Sequence, residues 1–162
     1  MLTAIKDAFR GVELGSGVSL HETVVIDNYG GSAERTAARL PDEKRDWQRL
    51  VSDPELARIG GVGGLNFYDA AGLRFHLPAY LSLAVIDFER ADAGIVLESL
   101  MFNLTHFSEY NVGRLSILSA PQRQCVRDVL AFLRTEYELE SEELDEAIAG
   151  YWSCGPGAAS QA

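Results

Sequence analysis

Three histidines, an Asp27-Asn28-Tyr29 cluster and the Arg74-x-His76 pair are the groups whose types and spacing could carry chemistry in this chain. His21 stands beside Glu22, but the segment His21-Glu22-Thr23-Val24-Val25 lacks the second histidine of a zinc-binding H-E-x-x-H helix. No metal site is expected there, and Glu22 reads as a capping residue. His106 follows an apolar helical stripe and reads as a solvated helix end. His76 differs: Phe75 and Leu77 flank it and Arg74 is two positions away. It reads first as a structural hydrogen-bonding residue and second as a ligand contact. Asp27 precedes Gly30-Gly31 at a helix end, where the dipole disfavours a carboxylate. It should therefore pair with Arg35, Arg39 or Arg74. A ligand pocket built from Asp27, Tyr29, Trp47, Arg74 and His76, with Tyr68 nearby, is one reading of these groups. A pair of carboxylates such as Asp27 with Asp42 or Asp46 would be its hydrolytic form.

Other chemical signatures are missing from the sequence. Gly60-Gly61-Val62-Gly63-Gly64 is followed by Leu65-Asn66-Phe67, without the Lys-Ser/Thr that a phosphate-binding loop needs. Cys125 and Cys154 have neither metal-ligand spacing nor a partner motif and are expected to be free thiols. There is no nucleophile elbow and no dinucleotide fingerprint. The expectation is a protein without cofactor, leaning away from an enzyme.

The elements that must position these groups are mostly helical. Thr3 is a credible cap for a first helix ending at Gly11, and Ser19-x-x-Glu22 is a capping box whose helix Gly30-Gly31 can stop. Ser32 to Leu40 reads as a short helix, and Pro41 as the start of another that turns Trp47, Leu50 and Val51 inward. Asp53-Pro54 opens the next, which the glycine run ends. From Leu65 to Leu77, alternation around Asp69-Ala70-Ala71-Gly72 predicts a β-hairpin. Leu65, Phe67, Leu73, Phe75 and Leu77 would share its apolar face, leaving Asn66, Tyr68, Arg74 and His76 on the other as a binding surface. Pro78 to Phe88 is apolar on both sides and reads as a central helix. Leu97 to Phe107, Ser119-x-x-Gln122 through Tyr137, and a last short helix capped by Ser141 complete the chain. The predicted class is α+β, predominantly helical, with about six to eight helices and one small hairpin around residues 65–77. Residues 1–152 form a single domain in this reading, and 153–162 a flexible tail.

Composition narrows the partners. The 162 residues contain 14 Lys plus Arg against 24 Asp plus Glu, for a formal charge of -10. Such a surface repels a phosphate backbone and attracts basic proteins. The first residues, MLTAIKDAFRG, are too charged for a signal peptide, so a cytoplasmic location is expected. The longest apolar run, Leu77 to Ile86, is too short for a bilayer. Neither nucleic acid nor membrane is an expected partner. Glu136 to Glu146 holds seven acids and no base.

Ala8-Phe9-Arg10-Gly11-Val12, Gly17-Val18-Ser19-Leu20 with Glu22-Thr23, Asp27-Asn28-Tyr29-Gly30, Asp42-Glu43 with Asp46-Trp47, and Asp69-Ala70 leading to Arg74-Phe75-His76-Leu77-Pro78-Ala79-Tyr80, then Gln122-Arg123, carry a family resemblance. On these motifs the chain resembles a family of small bacterial proteins catalogued only as a domain of unknown function. The resemblance extends to about Leu133 and implies a shared compact fold, no chemistry and no catalytic residue. The acidic region from Glu136 onward reads as lying outside it.

Two function classes follow. The first is a non-catalytic cytosolic protein-binding domain, with an immunity-type inhibitor of a basic toxin as its sharpest form and Glu138, Glu142 and Glu143 as partner-steering acids. The second is a small-molecule-binding or hydrolytic domain with its pocket near Asp27, Trp47, Arg74 and His76. The sequence sets no oligomeric state.

Overall fold

The computed structural model of the protein describes residues 1–61, 63–86, 91–139 and 141–153, with 91–95 described by their backbone alone. The chain begins with α1 (Leu2–Ala8), α2 (Leu20–Asp27) and α3 (Ser32–Arg39), then a 3-10 helix at Trp47–Ser52 and α4 (Pro54–Gly61). A second 3-10 helix at Gly64–Phe67 leads into α5 (Ala70–Ile86), α6 (Ala91–Thr105), α7 (Glu109–Leu115), α8 (Ala120–Glu136) and α9 (Glu142–Ala149). The fold is thus predominantly helical, as the capping boxes and 3.6-residue stripes predict. Among the described residues there is no strand, and no helix is long and apolar enough to cross a membrane.

The hairpin expected at residues 65–77 is replaced by the 3-10 helix and the first half of α5, and Asp69 shows why. Its Oδ1 accepts the Gly72 amide at 2.7 Å and its carbonyl accepts the Leu73 amide at 2.8 Å, which is N-cap geometry. The carboxylate therefore starts a helix where a hairpin loop was expected. The alternation of Leu73, Phe75 and Leu77 carries no strand signal because α5 is buried on every side. Leu73, Phe75, Leu77, Ala79, Tyr80 and Leu81 are each at most 1% exposed, so apolar residues occur at all phases of the turn. Pro78 lies inside α5 and removes one amide donor. The helix continues through it, and the Ser82 hydroxyl donates to the Pro78 carbonyl at 2.7 Å.

Around α5 pack α1, α6, α7, α8 and the Trp47–Ser52 turn, while α2 lies against α3 and α4 against α6. Phe88, the expected end of the central helix, lies outside the described residues, as do Cys154 and the tail from 154 onward. Cys125 is a buried free thiol. Helix starts at Ser19, Asp53, Ser119 and Ser141 stand where the sequence places them. The helix expected from Pro41 begins later. Lys44 Nζ donates to the carbonyls of Arg39 and Asp42 at 2.9 and 2.7 Å, closing the end of α3, and Asp46 then caps the 3-10 turn by accepting the Gln48 amide at 3.1 Å. The unforeseen element is α7, where the Ser108 hydroxyl accepts the Asn111 amide at 3.2 Å.

One close approach positions everything that follows. A Cβ on Gly17 would stand 2.5 Å from the Gly72 amide nitrogen, and one on Gly72 would stand 2.5 Å from the Val18 carbonyl. Only two glycines let the loop before α2 cross the start of α5 at this distance. Asp69 Oδ1 seals the crossing by also accepting the Val18 amide at 2.9 Å.

Candidate functional site

The polar residues of α2 assemble at its N-terminal turn. Glu22 accepts the Ser19 amide at 2.8 Å, as its place in a capping box requires, and its carboxylate also takes Arg39 at 2.8 Å and Arg35 at 3.6 Å. Burial alone would raise the Glu22 pKa; the Ser19 and Arg39 bonds outweigh it and hold the group below its usual range. Arg39 also donates to the carbonyls of Gly15 and Gly17. It thereby ties the glycine loop to α3.

On the other side of the turn, Asp42 accepts the His21 amide at 2.9 Å, and its Oδ1 lies 2.5 Å from His21 Nδ1. His21 Nε2 is 3.4 Å from a Glu55 oxygen, and Arg58 Nε donates to the same carboxylate at 2.9 Å. The Arg58 hydrogen bond is the main reason that the Glu55 pKa falls to about 2. Burial pulls His21 down, but Asp42 and Glu55 together raise its pKa above the ordinary 6.5. No group of three or more metal-ligating side chains occurs among the described residues.

The residues singled out from sequence are distributed between core and surface. His76 and Tyr68 do meet, with ring centroids 4.3 Å apart and stacked, but both are completely buried. His76 Nδ1 donates to the Gly72 carbonyl at 2.8 Å, and burial lowers the ring's pKa to about 4, so it is neutral near pH 7. Its Nε2 is buried without a partner among the described residues. The Tyr68 hydroxyl is 3.4 Å from that of Tyr80. Trp47 is a core residue whose Nε1 donates to the Phe9 carbonyl at 3.1 Å. Arg74 is half-buried, whereas Asp27 is exposed and makes no ion pair among the described residues. Tyr29 is 97% exposed, with a left-handed φ of 57° that presents it at the tip between α2 and α3. The polar hairpin face imagined for Asn66, Tyr68, Arg74 and His76 has no counterpart, because Tyr68 and His76 point into the core.

Sequence reasoning missed Arg114 altogether. It is 5% exposed and donates to the carbonyls of Leu65 and Tyr68 at 2.8 and 3.2 Å, to Asn103 Oδ1 at 2.7 Å and to Asn111 Oδ1 at 2.6 Å. It closes the Gly64–Phe67 turn and bolts it to α6 and α7, with the Tyr110 ring 4.7 Å from its guanidinium. The only signal was an arginine within an otherwise unassigned segment.

Beside Arg114 runs a shallow groove of about 660 Å³ between the loop before α2, the end of α2, α3, the start of α5 and α7. Val18, Ile26, Phe67 and Ala70 give it apolar lining, and Arg35, Asp69, Glu109 and Tyr110 give it polar groups. Tyr110 is 60% exposed. A smaller, charged recess of about 280 Å³ lies between α1 and the residues around Trp47. On α9 and just before it, Glu138, Glu142 and Glu143 are exposed, and Asp145 is paired with Arg134.

No curated protein and no solved structure matches the chain. A match does come from the family of unknown function DUF6714, and it spans residues 1–154. The acidic region from Glu136 to Glu146, expected to lie outside the family, is thus inside the match. Matched over nearly its whole length, the chain belongs to the DUF6714 family.

Proposed function

We propose that the protein is a non-catalytic, cytoplasmic binding domain whose partner is a protein with a basic surface, an immunity-type inhibitor of a toxin being the sharpest form of the idea. The groove supports this reading most. Tyr110 is left 60% exposed on α7 beside Phe67 and Ile26, with the carboxylates of Asp69 and Glu109 in the same wall. Exposed aromatic residues on rigid elements are common anchors of protein interfaces. Neighbouring acids would receive lysine or arginine from the partner. Exposed Glu138, Glu142 and Glu143 would add long-range attraction to a chain whose formal charge is -10.

The test is capture with the immobilised protein from its own host, followed by stopped-flow mixing with the protein recovered. Tyr110→Ala is expected to weaken binding by about tenfold or more. Replacing Glu138, Glu142 and Glu143 by Gln is expected to slow association by about tenfold at low salt, with little change in dissociation. Gln keeps side-chain length and spares the first turn of α9 a cation at its positive end; the loss of two carboxylates there, one of them accepting the Ser141 hydroxyl at 2.7 Å, should lower the melting temperature by only a few degrees. Binding indifferent to Tyr110→Ala would remove the groove from the interface. Recovery of no protein, together with a metabolite that raises the melting temperature, would overturn the binding-protein reading.

A further inference from the structure

We propose that His21 is a proton-operated clip between α2 and α4, closed when its Nε2 carries a proton and open when it does not. The geometry fixes which proton moves. Asp42 is 3% exposed at its side chain and is anchored by the His21 amide, so Nδ1 keeps its proton and donates to Asp42 in either charge state. The exchangeable proton is therefore on Nε2, which faces Glu55 of α4 at 3.4 Å. With that proton, the ring is a cation between two carboxylates. Without it, a nitrogen lone pair confronts the Glu55 oxygen and the attraction across the seam is lost.

On α2 the next residue, Glu22, is occupied by Arg35 and Arg39 of α3. From the turn after α3, Lys44 caps the Asp42 carbonyl. On α4, Asp53 accepts the Glu55 amide, and Arg58 binds Glu55 whatever the state of His21. The Gly64–Phe67 turn packed against α2 brings no ionisable group. Loss of the proton weakens the His21–Asp42 contact and turns the His21–Glu55 contact from attraction to repulsion.

Because Asp42 and Glu55 outweigh burial and raise the pKa of His21 in the fold, its contribution to stability is complete below the ordinary value of 6.5. It is lost as pH rises through the raised value. The seam should loosen from neutral to mildly alkaline pH. Val18 and Ile26, at the two ends of α2, and Phe67 of the adjoining turn line the groove, so an open clip would also shift a groove wall. That consequence alone rests on the groove being the binding site.

The clip is tested on the free protein, so its failure is separate from any failure of the binding reading. Melting temperatures of the wild type, His21→Gln and Glu55→Gln are compared from about pH 6 to about pH 9. The wild type should lose about 2 to 4 °C relative to His21→Gln across that range, the shift expected for a chain of this length from one modest contact. Glu55→Gln should reduce that difference, leaving the part that Asp42 supplies, and lower the midpoint at which the His21 ring protons titrate by NMR. Parallel melting profiles for the wild type and both variants, or a His21 midpoint unmoved by Glu55→Gln, would overturn the proposal. Glu55 is 36% exposed at its side chain, so its variant can be read even if His21→Gln folds poorly.

Discussion

Leu81→Asp is expected to leave no cooperatively folded protein. Leu81 is fully buried near the middle of α5, the helix against which α1, α6, α7, α8 and the Trp47–Ser52 turn all pack. A carboxylate there would lie in the hydrophobic core, and burying it costs several kcal/mol even when the group takes up a proton. Domains of this size are stable by about 5 to 15 kcal/mol in all. The loss of the leucine's own packing adds about 2 to 5 kcal/mol. Circular dichroism and thermal melting of the purified variant decide the matter. A soluble Leu81→Asp protein that melts as the wild type does would mean that α5 is not the centre of the fold.

The second large effect should come from a residue no motif marks. Arg114→Met keeps the length and apolar stem of the side chain but removes a donor from each of four acceptors, two of them backbone carbonyls that no further substitution can remove; of these the Tyr68 carbonyl keeps the Tyr110 hydroxyl at 3.4 Å. Each buried acceptor left unsatisfied costs about 1 to 3 kcal/mol. Part of that is returned because a guanidinium no longer has to be desolvated. A net loss of about 4 kcal/mol is expected, read as a lower urea midpoint with unchanged slope. Arg114→Lys should recover less than half of it, because an ammonium offers three donors from a single point where the fork offers five. A loss below about 1 kcal/mol in Arg114→Met would show that water replaces the guanidinium at little cost.

The candidate site was legible only where its geometry is local. Glu22 reaches back to the Ser19 amide as their capping-box spacing demands, and the same turn presents His21 beside them. That Asp42 lies behind His21 and Glu55 before it could not be read, because those contacts join residues 21 and 34 positions apart in the chain. Tyr68 and His76 were expected to share one polar face with Asn66 and Arg74. A hairpin would have set them on an exposed face, whereas the Asp69 cap and α5 stack them inside the core.

Capping boxes, proline at helix starts and glycine stops act within a few residues, so the sequence by itself determined a mainly helical chain and most of its helix beginnings. It also determined the charge, because that requires only counting. The tertiary structure decided the rest. Whether Leu73, Phe75 and Leu77 belong to a strand or to a helix depends on how many sides of the segment are covered, and that is set by the helices around α5. The role of Asp69 depended in the same way on the crossing of Gly17 and Gly72, since a carboxylate before two alanines and a glycine can cap a loop or a helix. Burial and long-range hydrogen bonding are properties of the assembled chain, and no window of sequence contains them.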